Sequence, residues 1–261
     1  MSNTIGSVRH SYLTDKDNRI IDLRLGNCLE VMKTIEDNSI DAIITDPPYG
    51  TTACKWDSVI DFELMWEQLN RIIKPNGAIV LFGSEPFSSA LRMSNIKSYR
   101  YDLIWRKSQL AGFLNANRMP LKKHENMSVF YKKLPTYNPQ KTIGKPYDKT
   151  KYNGQTLNEN VIGKYTSKRD KNNGDRYPTS VLDFSQDWSR QQQKHPTQKP
   201  IALMEYLIKT YTNENETVLD FTMGSGSTGV AAKQTNRNFI GIEQEEKYFN
   251  IAQERINSTL F

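Results

Sequence analysis

The chain has 261 residues, 37% of them hydrophobic and 10% aromatic, which suits a soluble globular protein with one large domain or with a core and an inserted module. No stretch approaches the roughly 18 uninterrupted apolar residues of a membrane span, and the polar N-terminus has no apolar signal-peptide block, so we expect a cytoplasmic protein. Cys28 and Cys54 have no metal-ligand spacing and are too few for a disulfide framework, so we expect two reduced thiols and no metal site.

The net charge of +6 is concentrated in the middle of the chain. Residues 106–176 contain 16 Lys and Arg against 5 Asp and Glu, a net charge of +11, so the other residues together carry −5. This segment is also rich in Tyr, Asn and Gly and has little helical or strand periodicity. A solvated loop would explain any single run of charge, but a long basic stretch between two regularly patterned halves favours a nucleic-acid-binding insertion.

Strands and helices alternate along the first half of the chain. The apolar pattern predicts, in order, a strand near DLRLG, a helix through CLEVMKTI, a strand DAIIT, a helix in DFELMWEQLNRI that ends at Pro75-Asn76-Gly77, a buried strand AIVLF, a short helix PFSSALRMS, and two strands, YDLIW and MSVFY.

The alternation resumes after the basic segment. The pattern there predicts a helix PIALMEYLIKTY, a strand TVLDF, a helix GSTGVAAKQ, a strand NFIGIE and a last helix EEKYFNIAQERI. Strands that alternate with helices predict an α/β fold, in which a mostly parallel sheet has helices on both faces.

The strand DAIIT ends in an unusual turn with the sequence TDPPYG, Thr45 to Gly50. Two consecutive prolines cannot continue a hydrogen-bonded strand, so the chain must leave the sheet here in a stiff turn. A strand-ending turn in which Asp46 accepts a hydrogen bond would explain a lone Asp-Pro pair. A functional interpretation therefore depends on a second signal elsewhere in the chain.

That second signal directly follows the strand TVLDF. Gly224, Gly226 and Gly229 fit the pattern G-x-G-x-x-G between a strand and a helix, and Glu243 stands at the end of the next strand, about 20 residues on. Such glycines let the backbone approach a nucleoside cofactor, and the acid can bind ribose hydroxyls. No Lys follows the glycines, which excludes a phosphate-binding P-loop. NAD and S-adenosylmethionine both remain.

The chemistry of the turn at Asp46 separates these two cofactors. An exocyclic amine of a nucleobase is a poor nucleophile because its lone pair is delocalised into the ring. The Asp46 carboxylate and the Pro47 carbonyl can accept its two hydrogens and free that lone pair, while Tyr49 stacks on the ring and the prolines fix the carbonyl. An NAD-dependent dehydrogenase has no use for such a turn, so these residues favour a methyltransferase.

At these positions the chain resembles the β subgroup of the amino-group DNA methyltransferases, over residues 22–256. DPPY at Asp46 to Tyr49 is similar to the family's catalytic motif, VLDFTMGSGSTG to its cofactor loop, FIGIE to the strand that ends in its ribose-binding acid, and HPTQKP at His195 to Pro200 to the motif before the loop. The catalytic motif precedes the cofactor loop. That order argues against the protein-glutamine methyltransferases, whose Asn-Pro-Pro-Tyr follows their loop.

The resemblance implies a Rossmann-like class I methyltransferase fold with an inserted target-recognition segment. It divides the chain into a catalytic half at 1–106, a strand with the basic recognition insertion at 107–190, and a cofactor-binding half at 191–261. The implied catalytic residues are Asp46, Pro47, Pro48 and Tyr49. The implied cofactor contacts are Asn27, Asp46, His195, Thr197, Lys199, Asp220, Phe221, Thr222, Gly224, Ser225, Gly226, Ser227, Thr228 and Glu243, and the implied DNA contacts are Arg118, Lys122, Lys123, Lys168, Arg169 and Arg176.

Two departures from the family pattern fall in the cofactor site. Phe221-Thr222-Met223-Gly224 stands where the family usually has Pro-Phe-Met-Gly, which shifts or removes an aromatic contact. Asn27 replaces the aspartate that contacts the cofactor adenine, although an Asn carbonyl still accepts a hydrogen bond from an adenine amino group. Weaker cofactor binding would follow from either change.

The implied function is transfer of a methyl group from S-adenosylmethionine to a base amine in double-stranded DNA, with S-adenosylhomocysteine as the product. In the family a motif that begins with Asp usually accompanies adenine N6, and one that begins with Ser cytosine N4, so we expect adenine, with cytosine N4 as the alternative. A non-catalytic DNA-binding module and an NAD-dependent oxidoreductase are the alternatives of another class. A homodimer, a cognate restriction endonuclease and a bacterial or phage-infected host cell are further implications of the resemblance.

Overall fold

The structure, a computed structural model, describes residues 2–5, 8–14, 19–51, 57–148, 171–186 and 198–259. The chain forms two compact units, one of Met1–Asn138 with Ser180–Phe261 and one of Pro139–Thr179. Four residues that the sequence assigns to sites lie outside the described residues, namely Lys168, Arg169, His195 and Thr197, and so does Cys54.

Fourteen strands are found in the described part of the chain. They are β1 (Ser2–Ile5), β2 (Val8–Thr14), β3 (Ile20–Leu25), β4 (Ile40–Thr45), β5 (Ile73–Gly83), β6 (Tyr99–Ala111), β7 (Lys122–Phe130), β8 (Thr142–Ile143), β9 (Tyr147–Asp148), β10 (Lys171–Asn172), β11 (Asp175–Arg176), β12 (Val181–Asp183), β13 (Thr217–Asp220) and β14 (Asn238–Glu243).

Ten of these strands form one sheet in the larger unit, in the order β1-β2-β3-β14-β13-β4-β5-β7-β6-β12. The strands β3, β14, β13, β4 and β5 run parallel to one another, and β6 and β12 form a further parallel pair. The remaining four pairs are antiparallel. The C-terminal ends of the five central strands therefore meet at one edge of the sheet, which is where open α/β folds bind ligands.

Helices cover both faces of this sheet. They are α1 (Cys28–Met32), α2 (Phe62–Ile72), α3 (Phe87–Ser94), α4 (Ile201–Tyr211), α5 (Ser227–Gln234) and α6 (Glu246–Ser258). Successive residues of a strand point to opposite faces. Accordingly, Ile43 belongs to the buried cluster that contains Leu69 of α2, whereas Ile44 belongs to the one that contains Leu207 of α4. The predicted α/β architecture is confirmed.

The end of helix α2 differs from the sequence-based expectation. The helix ends at Ile72, and Ile73 already has an extended backbone and pairs with Ile40 of β4. Pro75, Asn76 and Gly77, which predict a helix end, instead lie within strand β5 at an irregularity in its pairing. A Cβ at Gly77 would stand 2.8 Å from the Asp41 carbonyl oxygen, so this irregularity requires a glycine.

The polar N-terminus, for which no strand was predicted, adds two strands to the sheet: β2 pairs antiparallel with β3, and β1 pairs antiparallel with β2. Pairing across a sheet edge depends on backbone groups, which explains why the apolar pattern gives no sign of it. None of the helices in the described residues is long and apolar enough to cross a bilayer.

The smaller unit contains two short antiparallel pairs, β8 with β11 and β9 with β10. Gly144 N donates to Gly174 O over 2.7 Å, and the Arg176 guanidinium lies 4.8 Å from the centre of the Tyr147 ring. Strands β6 and β7 belong to the sheet of the larger unit, and the functional division at residues 107–190 stays a prediction.

Candidate active site

A cavity of about 340 Å³ lies at the C-terminal edge of the central parallel strands. Asp46 follows β4, Asp220 ends β13, Glu243 ends β14 and Asn27 follows β3, and all four line the cavity. The two signals of the sequence, the Asp-Pro-Pro-Tyr turn and the glycine loop, therefore meet in one site. The predicted site residues that line it are Asn27, Asp46, Pro47, Pro48, Tyr49, Lys199, Asp220, Phe221, Thr222, Gly224, Ser225, Ser227, Thr228 and Glu243.

Asp220 fixes the glycine loop to the end of β4. Its Oδ1 accepts hydrogen bonds from the Thr45 hydroxyl and from Thr222 N at 3.2 Å, and its Oδ2 accepts one from the Thr228 hydroxyl at 2.5 Å. Burial raises the pKa of Asp220 to about 6, against the lowering effect of these hydrogen bonds. Asp220 thus holds together strand β4, the loop and the first turn of α5.

Glu243 receives two backbone N–H groups. Its Oε2 accepts from Gly224 N at 2.9 Å and its Oε1 from Glu245 N at 2.8 Å, while its backbone oxygen accepts from Gly26 N at 2.9 Å. Burial raises the pKa of this carboxyl. Each carboxylate oxygen has further lone pairs, so Glu243 can still accept hydrogens from a ligand in the cavity.

Gly226 serves helix packing rather than the cavity wall. It has φ +79° and is absent from the residues that line the cavity, unlike its neighbours Ser225 and Ser227. A Cβ on Gly226 would lie 2.9 Å from the Ala252 side chain of α6. At this position a glycine is needed because the loop packs closely against α6.

Asn27 and Cys28, which follow β3, also line the cavity. The Asn27 side-chain oxygen accepts a hydrogen bond from Leu29 N at 2.9 Å and caps α1. Burial raises the pKa of the Cys28 thiol to about 11, so it is a neutral thiol near pH 7. Phe221, the shifted aromatic residue, also lines the cavity and is 1% exposed.

The Asp46 carboxylate is held on both sides. The Tyr49 hydroxyl donates to Oδ1 and the Lys199 ammonium donates to Oδ2, while the backbone oxygen of Asp46 accepts from the Thr222 hydroxyl at 3.1 Å. Burial raises the pKa of Asp46, and the charge of Lys199 opposes that rise. The carboxylate is thus fixed in direction at the point where the turn meets the cofactor loop.

The turn after Asp46 is built around Asp57, which the sequence analysis did not single out. Its carboxylate accepts hydrogen bonds from Tyr49 N, Gly50 N and Thr51 N at 2.8 to 2.9 Å. The Tyr49 ring lies 5.0 Å from the Phe87 ring, centre to centre, at 33°. Three backbone donors on one carboxylate make the turn rigid, which the two prolines alone do not explain.

Lys199 also contacts Glu125, which in turn contacts Lys107, and neither residue was predicted from the sequence. Glu125 of β7 contacts Lys199 Nζ with its Oε2 at 3.3 Å, and its Oε1 contacts the ammonium of Lys107 in β6. The only sequence signal was a pair of charged residues on two strands that also contain apolar runs. Lys199, which the resemblance assigns to the cofactor carboxylate, is engaged by two protein carboxylates here, and its cofactor role stays a prediction.

The described residues predicted to contact DNA differ in how exposed they are and in whether other protein groups bind them. Arg118 and Lys123 are exposed. Lys122 donates to the Ser84 hydroxyl, and burial lowers its pKa. The Arg176 guanidinium donates to Asn172 Oδ1 at 2.8 Å and to a backbone oxygen within the smaller unit. Within the larger unit, Arg118 and Lys123 are thus the better placed of these residues for phosphate contacts.

Comparison with known proteins identifies the family. A family model for N6/N4 methyltransferases, described as DNA methylase, matches residues 40–254. The chain belongs to this DNA methylase family. The match includes the Asp-Pro-Pro-Tyr turn, the glycine loop and Glu243, so the resemblance drawn from the motifs is confirmed.

Relatives and solved structures agree with this assignment. The type II methyltransferase M.HpaI from Haemophilus parainfluenzae is 30% identical over 93% of this chain and 75% of its own length. The crystal structure of an M1.HpyAVI–SAM complex is 28% identical, covers 90% of this chain and 98% of its own, and has a TM-score of 0.61. The PvuII DNA methyltransferase, described as cytosine-N4-specific, shares the fold at 16% identity with a TM-score of 0.65, covering 89% of this chain and 85% of its own.

This DNA methylase therefore has the Rossmann-like class I methyltransferase fold expected from its motifs. The NAD-dependent oxidoreductase, the alternative that the glycine loop alone had left open, does not fit the family. Among the described residues, no group of three or more His, Cys, Asp and Glu side chains is arranged to hold a metal ion.

Proposed function

We propose that this DNA methylase transfers a methyl group from S-adenosylmethionine to N6 of an adenine that is flipped out of double-stranded DNA. The observation that carries the proposal is the position of the Asp46 carboxylate. It lies in the same cavity as the glycine loop and Glu243 and is held there by Tyr49 and Lys199. A methyl donor and an amine acceptor can therefore occupy neighbouring parts of one site.

The cofactor half of the proposal rests on the residues at the ends of β3, β13 and β14. Glu243 would accept hydrogen bonds from the ribose hydroxyls, and Asn27 and Phe221 would contact the adenine. The residues Thr222 to Thr228 would hold the rest of the cofactor, and Asp220 fixes this loop through Thr228. His195, Thr197 and Lys199 are proposed to contact the cofactor carboxylate, as the resemblance implies. The bound cofactor supplies an electrophilic methyl group on a sulfonium, which is why the acceptor amine must be activated.

Asp46 supplies that activation. Each Asp46 oxygen already accepts one hydrogen bond from the protein and has a lone pair for another. The Asp46 carboxylate and the Pro47 carbonyl accept hydrogen bonds from the two N–H groups of the amine, which frees the nitrogen lone pair for attack. As the methyl–nitrogen bond would form and the methyl–sulfur bond would break, negative charge at Asp46 would stabilise the positive charge that moves from sulfur to nitrogen, and one amine proton would then leave to solvent by way of Asp46.

The choice of adenine rests on the identity of residue 46. Members whose motif begins with Asp usually act on adenine N6, whereas Ser at that position more often accompanies cytosine N4. The fold does not discriminate, because the PvuII enzyme described as cytosine-N4-specific shares it. Cytosine N4 is therefore the alternative, and it uses the same two acceptors.

DNA contacts are proposed for the hairpin that joins β6 and β7. This segment, residues 106–123 and called the basic hairpin below, contains five Lys and Arg and no Asp or Glu. Its tip is exposed, with Phe113 65% and Leu114 fully accessible. Positive charge positions the duplex by phosphate contacts, and flipping the target base costs a few kcal/mol. Lys122, Lys168, Arg169 and Arg176 are further proposed contacts.

The relatives are named as type II methyltransferases, from which we propose a bacterial, cytoplasmic setting and a cognate restriction endonuclease. A homodimer is proposed from the habit of the subgroup.

Product analysis tests the proposed reaction. Duplex DNA is incubated with the protein and S-adenosylmethionine that carries a deuterated methyl group, then digested to nucleosides and resolved by mass spectrometry. The proposal expects deuterated N6-methyladenine. N4-methylcytosine would keep the mechanism and change the base, whereas 5-methylcytosine or no labelled nucleoside would contradict the proposal.

A further inference from the structure

A mostly buried chain of alternating charges leads from Asp46 to Lys107 on β6. Asp46 contacts Lys199, Lys199 contacts Glu125, and Glu125 contacts Lys107. The side chains of all four are mostly buried, with exposures of 17%, 8%, 12% and 16% in that order. The chain includes two carboxylates and two ammonium groups, so its formal charge is zero.

Lys199 connects Glu125 and Lys107 to the cavity. It lines the cavity with Asp46, whereas Glu125 and Lys107 are absent from the lining residues. Its Nζ also lies 5.1 Å from the centre of the Phe82 ring. Lys199 is thus held between Asp46, Glu125 and an aromatic face, and Glu125 acts on Asp46 from behind it.

Glu125 is anionic near pH 7. Burial raises its pKa, but the charges and hydrogen bonds of Lys199 and Lys107 outweigh burial and lower the pKa to about 2. A buried carboxylate with two cationic partners is costly to neutralise, because Lys107 then loses this carboxylate partner and Lys199 keeps only Asp46.

We propose that Glu125 is a positioning residue for methyl transfer, which holds Lys199 against Asp46 so that the Asp46 carboxylate keeps its direction in the cavity. This inference rests on the proposed role of Asp46 in activating the amine. Glu125 contacts Lys199, whereas Glu243 is held by Gly224 N and Glu245 N. The removal of Glu125 should therefore affect the rate of transfer far more than the binding of S-adenosylmethionine, which it can reach only through Lys199.

The pH dependence separates positioning from a simple effect of charge. If Lys199 stayed in place after Glu125 lost its charge, the pKa of Asp46 would fall, since the Glu125 charge raises it. If Lys199 is instead released, Asp46 loses its counter-charge and burial raises its pKa. The carboxylates of Asp46 and Glu125 interact with further charged and titratable groups, namely Tyr49, Lys107, Lys122, Lys199 and Asp220.

The test is the variant Glu125→Gln, measured by single-turnover methylation of duplex DNA at saturating S-adenosylmethionine. A misdirected Asp46 should lower the rate near pH 7 by about 10- to 100-fold. The acid limb of the rate profile should move to higher pH, so that the deficit shrinks as the pH rises. The dissociation constant of S-adenosylmethionine should change by a smaller factor than the rate, because Glu243 and the glycine loop stay in place and only the Lys199 contact is affected.

Two control variants test whether a loss of rate in Glu125→Gln simply reflects unfolding of the protein. Glu125→Asp keeps the charge and should recover a large part of the rate with an acid limb near that of the parent. Glu205→Gln removes a carboxylate that pairs with Lys209 on α4, away from the site, and should leave the rate unchanged. An unchanged rate in Glu125→Gln, or an acid limb moved to lower pH, would overturn the positioning role.

A double-mutant cycle with Asp46→Asn distinguishes this inference from the proposed function. Glu125→Gln should cause no further loss in the Asp46→Asn background, because its effect passes through that carboxylate. If Asp46→Asn alone retained the parental rate, the proposed function would fail. If Asp46→Asn lost the rate and Glu125→Gln lost the same further factor in both backgrounds, only the positioning role would fail.

Discussion

At the scale of single residues, the site is defined by how its carboxylates are satisfied. Both oxygens of Asp46 accept a hydrogen from the protein, and Asp220 and Glu243 each accept from more than one donor. These bonds fix the direction of each remaining lone pair. Fixed acceptors lower the reorganisation that the reaction requires, and this is the physical basis of the predictions for single side chains.

Tyr49 has two separable contributions, its hydroxyl and its ring. Tyr49→Phe removes the hydrogen bond to Asp46, and we expect the single-turnover rate to fall by about 3- to 30-fold. Tyr49→Ala also removes the ring that packs near Phe87 and is proposed to stack on the target base, so its rate should be lower again. Stopped-reaction kinetics on both variants provide the comparison. Equal rates would show that the ring contributes nothing.

Glu243 should determine cofactor affinity rather than the rate of transfer. Glu243→Ala loses the hydrogen bond from Gly224 N and the proposed charge-assisted bonds to the ribose, so the dissociation constant of S-adenosylmethionine should rise by about 10- to 100-fold. The exposed Glu245, whose backbone N–H is what contacts Glu243, provides the control Glu245→Ala. Calorimetry would count against the ribose role if both variants bound the cofactor equally well.

The limits of sequence reading are clearest at this scale. Asp46 and Glu243 could be found because each ends a recognisable strand beside a proline or glycine signal. Glu125 and Asp57 could not be found in this way. Glu125 contacts Lys199, which is 74 positions further along the chain, and Asp57 binds backbone N–H groups six to eight positions before it. Neither contact leaves a pattern in the sequence. Gly226 was identified by the glycine pattern, but its steric partner is Ala252 on another helix.

At the scale of elements, the fold follows from strands that are apolar on both faces and from helices with one apolar face. The parallel centre and its flanking helices were predictable from these patterns. The end of α2 was not, because pairing of Ile73 with Ile40 overrides the local Pro-Asn-Gly signal. Strands β1 and β2 were also missed, since backbone pairing at a sheet edge needs no apolar alternation.

The contact between the glycine loop and α6 gives a prediction at this scale. Gly226 and Gly112 both have positive φ, at +79° and +91°, but only Gly226 has a neighbour where a Cβ would lie. Gly226→Ala should therefore cost about 1–3 kcal/mol more in unfolding free energy than Gly112→Ala, by overpacking against Ala252. Denaturant melts of the two variants measure the difference. Equal losses would mean that the loop and α6 are not tightly packed.

At the scale of the whole molecule, charge is unevenly distributed along the chain. The basic hairpin and the rest of residues 106–176 carry the positive charge, while the remainder of the chain is net acidic. A sequence count alone shows this division. Which DNA sequence is read depends on side-chain geometry against base edges, which residue types do not encode.

The basic hairpin should contribute to DNA affinity by neutralising phosphates. The double variant Arg118→Gln/Lys123→Gln should weaken duplex binding and reduce the slope of log affinity against log salt by about 1 for each phosphate that is no longer neutralised. Lys33→Gln, which removes an exposed charge paired with Glu30 on α1, should change neither quantity. Fluorescence anisotropy across a salt series is the measurement. Weaker binding with an unchanged slope would argue against a role at the phosphates.

The central claim is that Asp46 activates the target amine beside an independently formed cofactor site. Asp46→Asn tests it most directly when cofactor binding and single-turnover methylation are measured on the same preparation. We predict that S-adenosylmethionine binds with an affinity within about threefold of the parent while the rate falls by at least about 100-fold. A parental rate in the Asn variant, or a loss of rate fully explained by lost cofactor binding, would contradict the account.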